Sequence, residues 1–194
     1  MAETPSTMLP LGTPLPPLRL KDAVSGRMVD TAQEANGRRG LLVMFICNHC
    51  PFVKHIRSEL VRVAHAALDQ NFAVVAVNSN DEKAFPEDGP EEMRRLAQGE
   101  RWRFPFLFDE TQEAAKAFRA ACTPDFFLFD GQLRLAYRGQ FDDSRPSNHK
   151  PITGDSLSAG LGALASGRAP PADQKPSVGC NIKWRPGNAP AYYG

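Results

Sequence analysis

Cysteine is scarce in this 194-residue sequence, and neither sign of charge predominates. Four cysteines cannot form the dense disulfide framework of small secreted domains, and a chain of this length can bury a sizeable core without one. The 23 basic and 22 acidic residues leave a net charge of +1. That balance removes the electrostatic argument for a protein that binds nucleic acid or an anionic membrane.

Long apolar runs are also absent. No stretch approaches the roughly 18–20 apolar residues that a membrane-spanning helix requires. Residues 1–16 contain neither the basic region nor the apolar region of a secretory signal. The sequence therefore predicts a cytoplasmic protein that does not cross a membrane.

What the chain does contain is a pair of cysteines separated by two residues. The apolar run 41–46 predicts a buried strand, and Cys47 and Cys50 follow it. From Pro51 to about residue 70, apolar residues recur at intervals of three and four, which is typical of an amphipathic helix. The pair is thus expected at a helix N-terminus, where backbone N–H groups and the helix dipole stabilise a thiolate. This arrangement indicates redox chemistry or metal binding.

Alternating strand and helix patterns surround the cysteine pair. A hairpin is predicted before it, with strands at 18–20 and 27–29. Further strands are predicted at 72–77, 104–108, 126–129 and 133–138, and further helices at 90–98, 111–120 and 155–166. The alternation predicts parallel pairing, and the last two strands predict an antiparallel pair at one edge. We expect one α/β domain over 18–167, a loosely ordered lead-in at 1–17 and a Pro-rich extended tail at 168–194.

Two further motifs complete a likeness to a known family. Thr123-Pro124 precedes a predicted strand, and Asp130-Gly131 forms the turn of the last hairpin. With the cysteine pair and the N-terminal hairpin, this order resembles the thioredoxin fold over about residues 9–167, in particular the peroxiredoxin-like proteins of the AhpC/TSA family. The resemblance implies a central mixed sheet flanked by helices, with an N-terminal hairpin extension and an extended C-terminal tail. It also implies that Pro124 is a cis-proline facing the thiols and that Thr123 offers backbone hydrogen bonds to an extended substrate.

The sequence departs from both relatives at supporting positions. Cys47 stands where peroxiredoxins place Thr or Ser, so that their attacking cysteine corresponds to Cys50. The peroxiredoxin arginine before the late core strand has no counterpart in residues 122–125, and Leu41 replaces the buried aspartate of thioredoxin. These differences argue against efficient peroxide reduction and leave the proton acceptor for Cys50 unidentified.

The motif assigns expected roles to three residues. We expect Cys47 to be the exposed nucleophile and Cys50, one turn inside the helix, to resolve the mixed disulfide. His49 lies between them and is expected to stabilise the Cys47 thiolate, as the resemblance to disulfide-forming relatives implies.

The two isolated cysteines are less informative. Cys122 is expected near the thiol pair if the fold is correct, either as an additional redox cysteine or as a small buried apolar residue. Cys180 lies in the tail, where it either reaches the site as a resolving cysteine or has no role, and the second interpretation is favoured. A metal site could also be completed with the pair by His49, His55, Cys122 and Cys180, although zinc commonly takes four ligands from two such pairs.

The sequence thus predicts a thiol–disulfide oxidoreductase that needs no cofactor or bound metal. Its partners would be a protein or small-molecule disulfide and an unidentified thiol electron donor, and not nucleic acid. Three alternatives remain open: an antioxidant thiol peroxidase with Cys50 as the attacking thiol, a copper or zinc carrier, and a redox sensor within a binding module. The oligomeric state is not predicted.

Overall fold

A computed structural model describes residues 3–193, so the first two residues of the predicted lead-in and the last residue of the tail lie outside the described range. The strands are β1 (Glu3–Pro5), β2 (Arg19–Asp22), β3 (Met28–Asp30), β4 (Gly40–Phe45), β5 (Ala73–Asn78), β6 (Phe106–Phe108), β7 (Cys122–Thr123), β8 (Asp125–Asp130), β9 (Leu135–Gly139) and β10 (Val178–Asn181). The helices are α1 (Thr31–Glu34), α2 (Pro51–Asp69), α3 (Pro90–Gly99), α4 (Glu113–Ala117) and α5 (Asp155–Ala165).

Seven strands form the central sheet in the order β3-β2-β6-β5-β4-β8-β9. Strand β4 pairs in parallel with β5, and β5 with β6, whereas β8 pairs antiparallel with both β4 and β9. The N-terminal hairpin of β2 and β3 extends the sheet beyond β6. This is the predicted mixed sheet, and the prediction of fold class is confirmed.

The core lies on both faces of this sheet because the central strands β4 and β5 are buried at every position. Alternate residues of a strand point to opposite faces. Leu42 and Met44 of β4 therefore join the core beneath α2, α3 and α5. Leu41, Val43 and Phe45 join the second core, which contains α4 and the tail residue Ile182.

Helix α4 begins later than predicted. The predicted range was 111–120, but the helix covers only Glu113–Ala117. The Asp109 carboxylate accepts the first N–H groups, from Ala114 at 3.3 Å and Ala115 at 3.0 Å. Since Asp109 is buried at the end of β6, its carboxylate needs these donors.

The lead-in and the tail are joined in a second, three-stranded sheet with the order β1-β10-β7. The lead-in was expected to be loosely ordered, but Glu3–Pro5 pair with Val178–Cys180. The tail strand β10 in turn pairs antiparallel with β7, so that Cys180 lies opposite Thr123 and Asn181 opposite Cys122. This pairing brings the extended tail across the segment that contains Thr123 and Pro124.

No helix within residues 3–193 is long and apolar enough to cross a membrane.

Candidate active site

Cys50 lies at the N-terminus of the longest helix. It is the N-cap residue of α2, in an extended conformation, and Pro51 is the first helical residue. Both features follow from the local sequence, because a residue before proline avoids the helical region and proline suits the first turn of a helix. The backbone N–H of Val53 donates to the Cys50 sulfur. The sequence therefore directs this thiol toward the free N–H groups of α2.

The Thr123–Pro124 peptide bond is cis, as the resemblance implied. The Cys50 sulfur lies 3.2 Å from the Thr123 carbonyl oxygen. The Cys47 sulfur lies 3.4 Å from Thr123 Oγ1. The end of β4, the start of α2 and the segment before β8 thus meet at the two thiols.

Cys180 is the third thiol of the site. It is buried and in hydrogen-bonding contact with Cys50, and the backbone N–H of Phe52 donates to its sulfur. Cys50 is also in hydrogen-bonding contact with Cys47. One sulfur therefore lies between two others, and the interpretation that Cys180 has no part in the site is not favoured by its position.

The three thiols differ in acidity. Hydrogen bonds from Cys180 and Cys47 lower the pKa of Cys50, and the Val53 N–H acts in the same direction. Burial raises the pKa of Cys47, and its hydrogen bond to Cys50 raises it further. The hydrogen bond to Cys50 and burial raise the pKa of Cys180. Cys50 is therefore the thiol that this environment favours as a thiolate.

The expectation that Cys47 is exposed is wrong. Its exposed fraction is 1%, and that of Cys50 is 0%. Cys47 precedes the helix by one turn and packs against Thr123, whereas Cys50 occupies the N-cap. The expectation that Cys50 lies one turn inside the helix is also wrong, because Cys50 is the N-cap residue and the helix begins at Pro51.

Cys122 shares strand β7 with Thr123, but its thiol has a different partner. It is fully buried and lies 3.7 Å from the Pro124 carbonyl oxygen. Burial raises its pKa, and so do the charges of Asp125 and Cys50. These features are typical of a buried structural thiol.

His49 belongs to a polar network that the sequence did not reveal. Its Nδ1 donates to Asp88 Oδ2 and lies 4.0 Å from the Cys47 sulfur. Its ring stacks on Phe85, with the centroids 4.9 Å apart. The predicted proximity of His49 to Cys47 is present, but the stronger contact is with the buried carboxylate of Asp88.

Asp88 is held by residues from two loops. Its Oδ1 accepts the backbone N–H groups of Asn48 at 2.8 Å and His49 at 3.1 Å, and its Oδ2 accepts the Asn80 amide at 2.7 Å. Asn80 Oδ1 also accepts the backbone N–H of Lys183, which connects the tail to the network. One signal in the sequence could have indicated this network. The polar run 78–81 directly follows a buried strand, and that strand lies beside the strand that leads to Cys47.

Cys47, His49 and Asp88 could hold a metal ion, since one ligand atom of each lies within 4.8 Å of the others. Both oxygens of Asp88, however, already accept two N–H groups each, including the one from His49 Nδ1. The carboxylate is therefore satisfied without a metal ion, which would have to displace at least one of these hydrogen bonds. The donor set fits a hydrogen-bonded network better than a metal centre.

Asp125 is a second buried acid at the site that was not anticipated. It directly follows Pro124 and is 0% exposed. Its Oδ1 accepts the Phe126 N–H at 3.1 Å, and within the described residues its Oδ2 has no hydrogen-bond partner. Burial raises the pKa of Asp125 to about 8. Burial therefore favours the protonated form of this acid, beside the cis-proline, at neutral pH.

Comparison with known proteins identifies the family. The AhpC/TSA family model matches residues 11–138. The chain belongs to the AhpC/TSA family. This membership supports a redox function, in agreement with the thiol cluster described above.

Solved structures extend the likeness to the tail. An uncharacterized conserved protein from Geobacillus kaustophilus is 50% identical, with a TM-score of 0.93 over 96% of this chain and 98% of that one. A hypothetical protein from Sinorhizobium meliloti 1021 is 46% identical, with a TM-score of 0.91 over 95% of this chain and 100% of the other. A thioredoxin-family thiol:disulfide interchange protein from Chlorobium tepidum TLS shares 14% identity, with a TM-score of 0.60 over 79% and 97% of the two chains, and shows the fold alone. No match was found among the curated proteins.

Proposed function

We propose that this AhpC/TSA protein is a thiol–disulfide oxidoreductase in which Cys50 is the attacking thiolate and Cys47 the resolving thiol. The observation that carries the proposal is the position of Cys50, which is the N-cap residue of α2 and whose pKa is lowered by hydrogen bonds from Cys180, Cys47 and the Val53 N–H. A thiolate is the nucleophile in disulfide exchange, so the thiol with the lowered pKa is the one that reacts first.

The proposed reaction consists of two successive thiol–disulfide exchanges. The Cys50 thiolate attacks a substrate disulfide, forms a mixed disulfide and expels one substrate thiolate, which takes up a proton. Cys47 then loses its proton and attacks the Cys50 sulfur, so that a Cys47–Cys50 disulfide forms and the second substrate thiolate leaves. Two electrons have passed from the cysteine pair to the substrate, and a thiol donor restores the dithiol.

The surrounding residues support these steps in distinct ways. Thr123 contacts both sulfurs and is expected to position the substrate chain through its backbone. His49, hydrogen-bonded to Asp88, lies near enough to Cys47 to influence the loss of its proton. The substrate class, a protein or small-molecule disulfide, and a cytoplasmic location remain predictions from the sequence.

Turnover measurements on single variants test the proposal. With insulin as the disulfide substrate and a dithiol as the donor, Cys50→Ser should lose turnover, because the only thiol favoured as a thiolate is removed. Cys47→Ser should turn over more slowly, because the resolving thiol is removed, while still accepting a mixed disulfide on Cys50. Cys122→Ser is the matched control and should retain turnover. Full activity of Cys50→Ser would refute the assignment.

Thiol peroxidase activity is a second candidate, since Cys50 at the helix N-terminus occupies the position of the peroxiredoxin nucleophile. Against it, none of the contacts of Cys47 and Cys50 among residues 3–193 comes from an arginine. Without such a group to bind the peroxide oxygens, we expect slow peroxide consumption. Rapid Cys50-dependent loss of hydrogen peroxide would favour the peroxidase instead.

A further inference from the structure

The tail strand β10 occupies the backbone edge next to the thiols. It pairs antiparallel with β7, and Cys180 is the residue opposite Thr123. An extended disulfide substrate that uses the backbone of Thr123 would need this same edge. The protein therefore covers the site with a segment of its own chain, and that segment carries a cysteine.

The tail packs closely against the site at Gly179, the residue before Cys180. A Cβ built on Gly179 would lie 2.1 Å from the Thr123 carbonyl oxygen and 3.1 Å from Pro124 Cδ. Any side chain at this position would collide with the edge, so glycine lets β10 approach it. The close approach brings the Cys180 sulfur into hydrogen-bonding contact with Cys50.

The helix N-terminus serves both sulfurs. The Val53 N–H donates to Cys50, and the Phe52 N–H donates to Cys180. The Phe52 N–H favours a developing thiolate on Cys180, although the hydrogen bond to Cys50 and burial raise the pKa of the Cys180 thiol overall.

From this arrangement we propose that Cys180 is a third redox thiol, held on β10 in the place of a substrate cysteine, which forms an alternative disulfide with Cys50. The proposal rests on the proposed oxidoreductase function. After the first exchange, the Cys180 thiolate attacks the Cys50 sulfur, the bond to the substrate sulfur breaks, and the substrate thiolate leaves and takes up a proton. The same attack on a Cys47–Cys50 disulfide releases Cys47 as a thiol, with no net oxidation.

The new disulfide would tie the tail to the site. A Cys50–Cys180 bond closes the Thr123 edge covalently, whereas a Cys47–Cys50 bond leaves β10 held only by hydrogen bonds and packing. A substrate must displace β10 before it reaches Cys50, which is fully buried.

Disulfide mapping in the full chain tests the proposal. Reduced Cys47→Ser protein is treated with oxidised glutathione, and non-reducing peptide maps are read by mass spectrometry. The main product should be the Cys50–Cys180 disulfide. In the double variant Cys47→Ser/Cys180→Ser, the reaction should stop at glutathione bound to Cys50. The control Cys47→Ser/Cys122→Ser should still form Cys50–Cys180.

The outcomes separate the inference from the function on which it rests. If Cys50 of Cys47→Ser remains bound to glutathione, the role of Cys180 is refuted while the reactive Cys50 stands. If Cys50 does not react in any of these variants, the oxidoreductase mechanism itself is refuted. Cys180→Ala in place of Cys180→Ser should give the same products, which guards against a misfolded variant.

Hydrogen exchange tests whether β10 occupies the substrate edge. A cysteine-containing peptide is trapped on Cys50 of the variant Cys47→Ser/Cys180→Ser, and amide exchange over residues 178–181 is compared with that of the untreated variant. Displacement of the strand predicts faster exchange in the trapped complex. Unchanged protection would refute the view that the tail and the substrate share one edge.

Discussion

The buried acid beside the cis-proline gives a quantitative prediction about stability. We consider Asp125→Asn, which removes the ionisable group but retains an oxygen to accept the Phe126 N–H. Burial raises the pKa of Asp125 to about 8 in the folded protein. In an unfolded chain an aspartate has a pKa of about 3.9. Between these values the folded state binds one proton more than the unfolded state.

The sign of the effect follows from this difference in bound protons. Because the folded state holds the additional proton, raising the pH stabilises the unfolded state relative to it. The contribution of Asp125 to the free energy of unfolding falls by about 1.4 kcal/mol per pH unit. Asp125→Asn lacks this contribution, so its stability relative to the native sequence should rise by about 2.7 kcal/mol between about pH 5 and about pH 7.

Urea unfolding at several pH values, with the thiols kept reduced, measures this difference. The control is Val43→Ala on the neighbouring strand β4, which lowers stability in the second core without changing an ionisable group. The free energy of unfolding of this control should change with pH in the same way as that of the native sequence. Parallel profiles for Asp125→Asn as well would show that Asp125 is ionised in the folded state, and the reasoning from burial would be refuted.

Three further predictions concern other parts of the structure. Burial raises the pKa of Cys47, and the charge of Asp88 adds to the effect, so Asp88→Asn should lower that pKa. Thiolate absorbance followed against pH in a Cys50→Ser background measures the pKa of Cys47. An unchanged titration midpoint would contradict the prediction. Gly179→Val should destabilise the fold by about 1–3 kcal/mol or more, because the new side chain meets a carbonyl of β7. Gly162→Ala should instead stabilise the fold by about 0.5–1 kcal/mol, because this position of α5 faces open space. Thermal unfolding distinguishes the two, and equal effects would refute the packing argument. Phe118→Ala should cost about 3–5 kcal/mol in denaturant unfolding, because the ring is fully buried against Phe45; a loss below about 1 kcal/mol would contradict its place in the core.

Much of the fold was predictable because its signals are local. The apolar run before Cys47 and the periodic pattern after Pro51 predicted β4 and α2 to within about one residue. The hairpin around Asp130 predicted the antiparallel edge of the sheet. Each signal depends on side chains that are close in sequence, so it can be recognised without knowledge of the rest of the chain.

The candidate site was predicted only in part, because several of its members come from distant segments. Asp88 reaches His49 because Asn80 and the backbone of residues 48 and 49 donate to it. Cys180 reaches Cys50 because β10 pairs with β7. No pattern near either residue indicates these partners, and the prolines of the tail predicted only an extended segment.

By itself the sequence determined the α/β class and the cysteine pair at a helix N-terminus, and Pro51 accounts for the extended conformation of the cap residue Cys50. Only the tertiary structure decided which thiol is favoured as a thiolate. That choice depends on burial and on hydrogen bonds from Cys47, Val53 and Cys180, the last of them 130 positions away along the chain. Acidity in a protein interior is set by neighbours in space, and the tail strand supplies one of them.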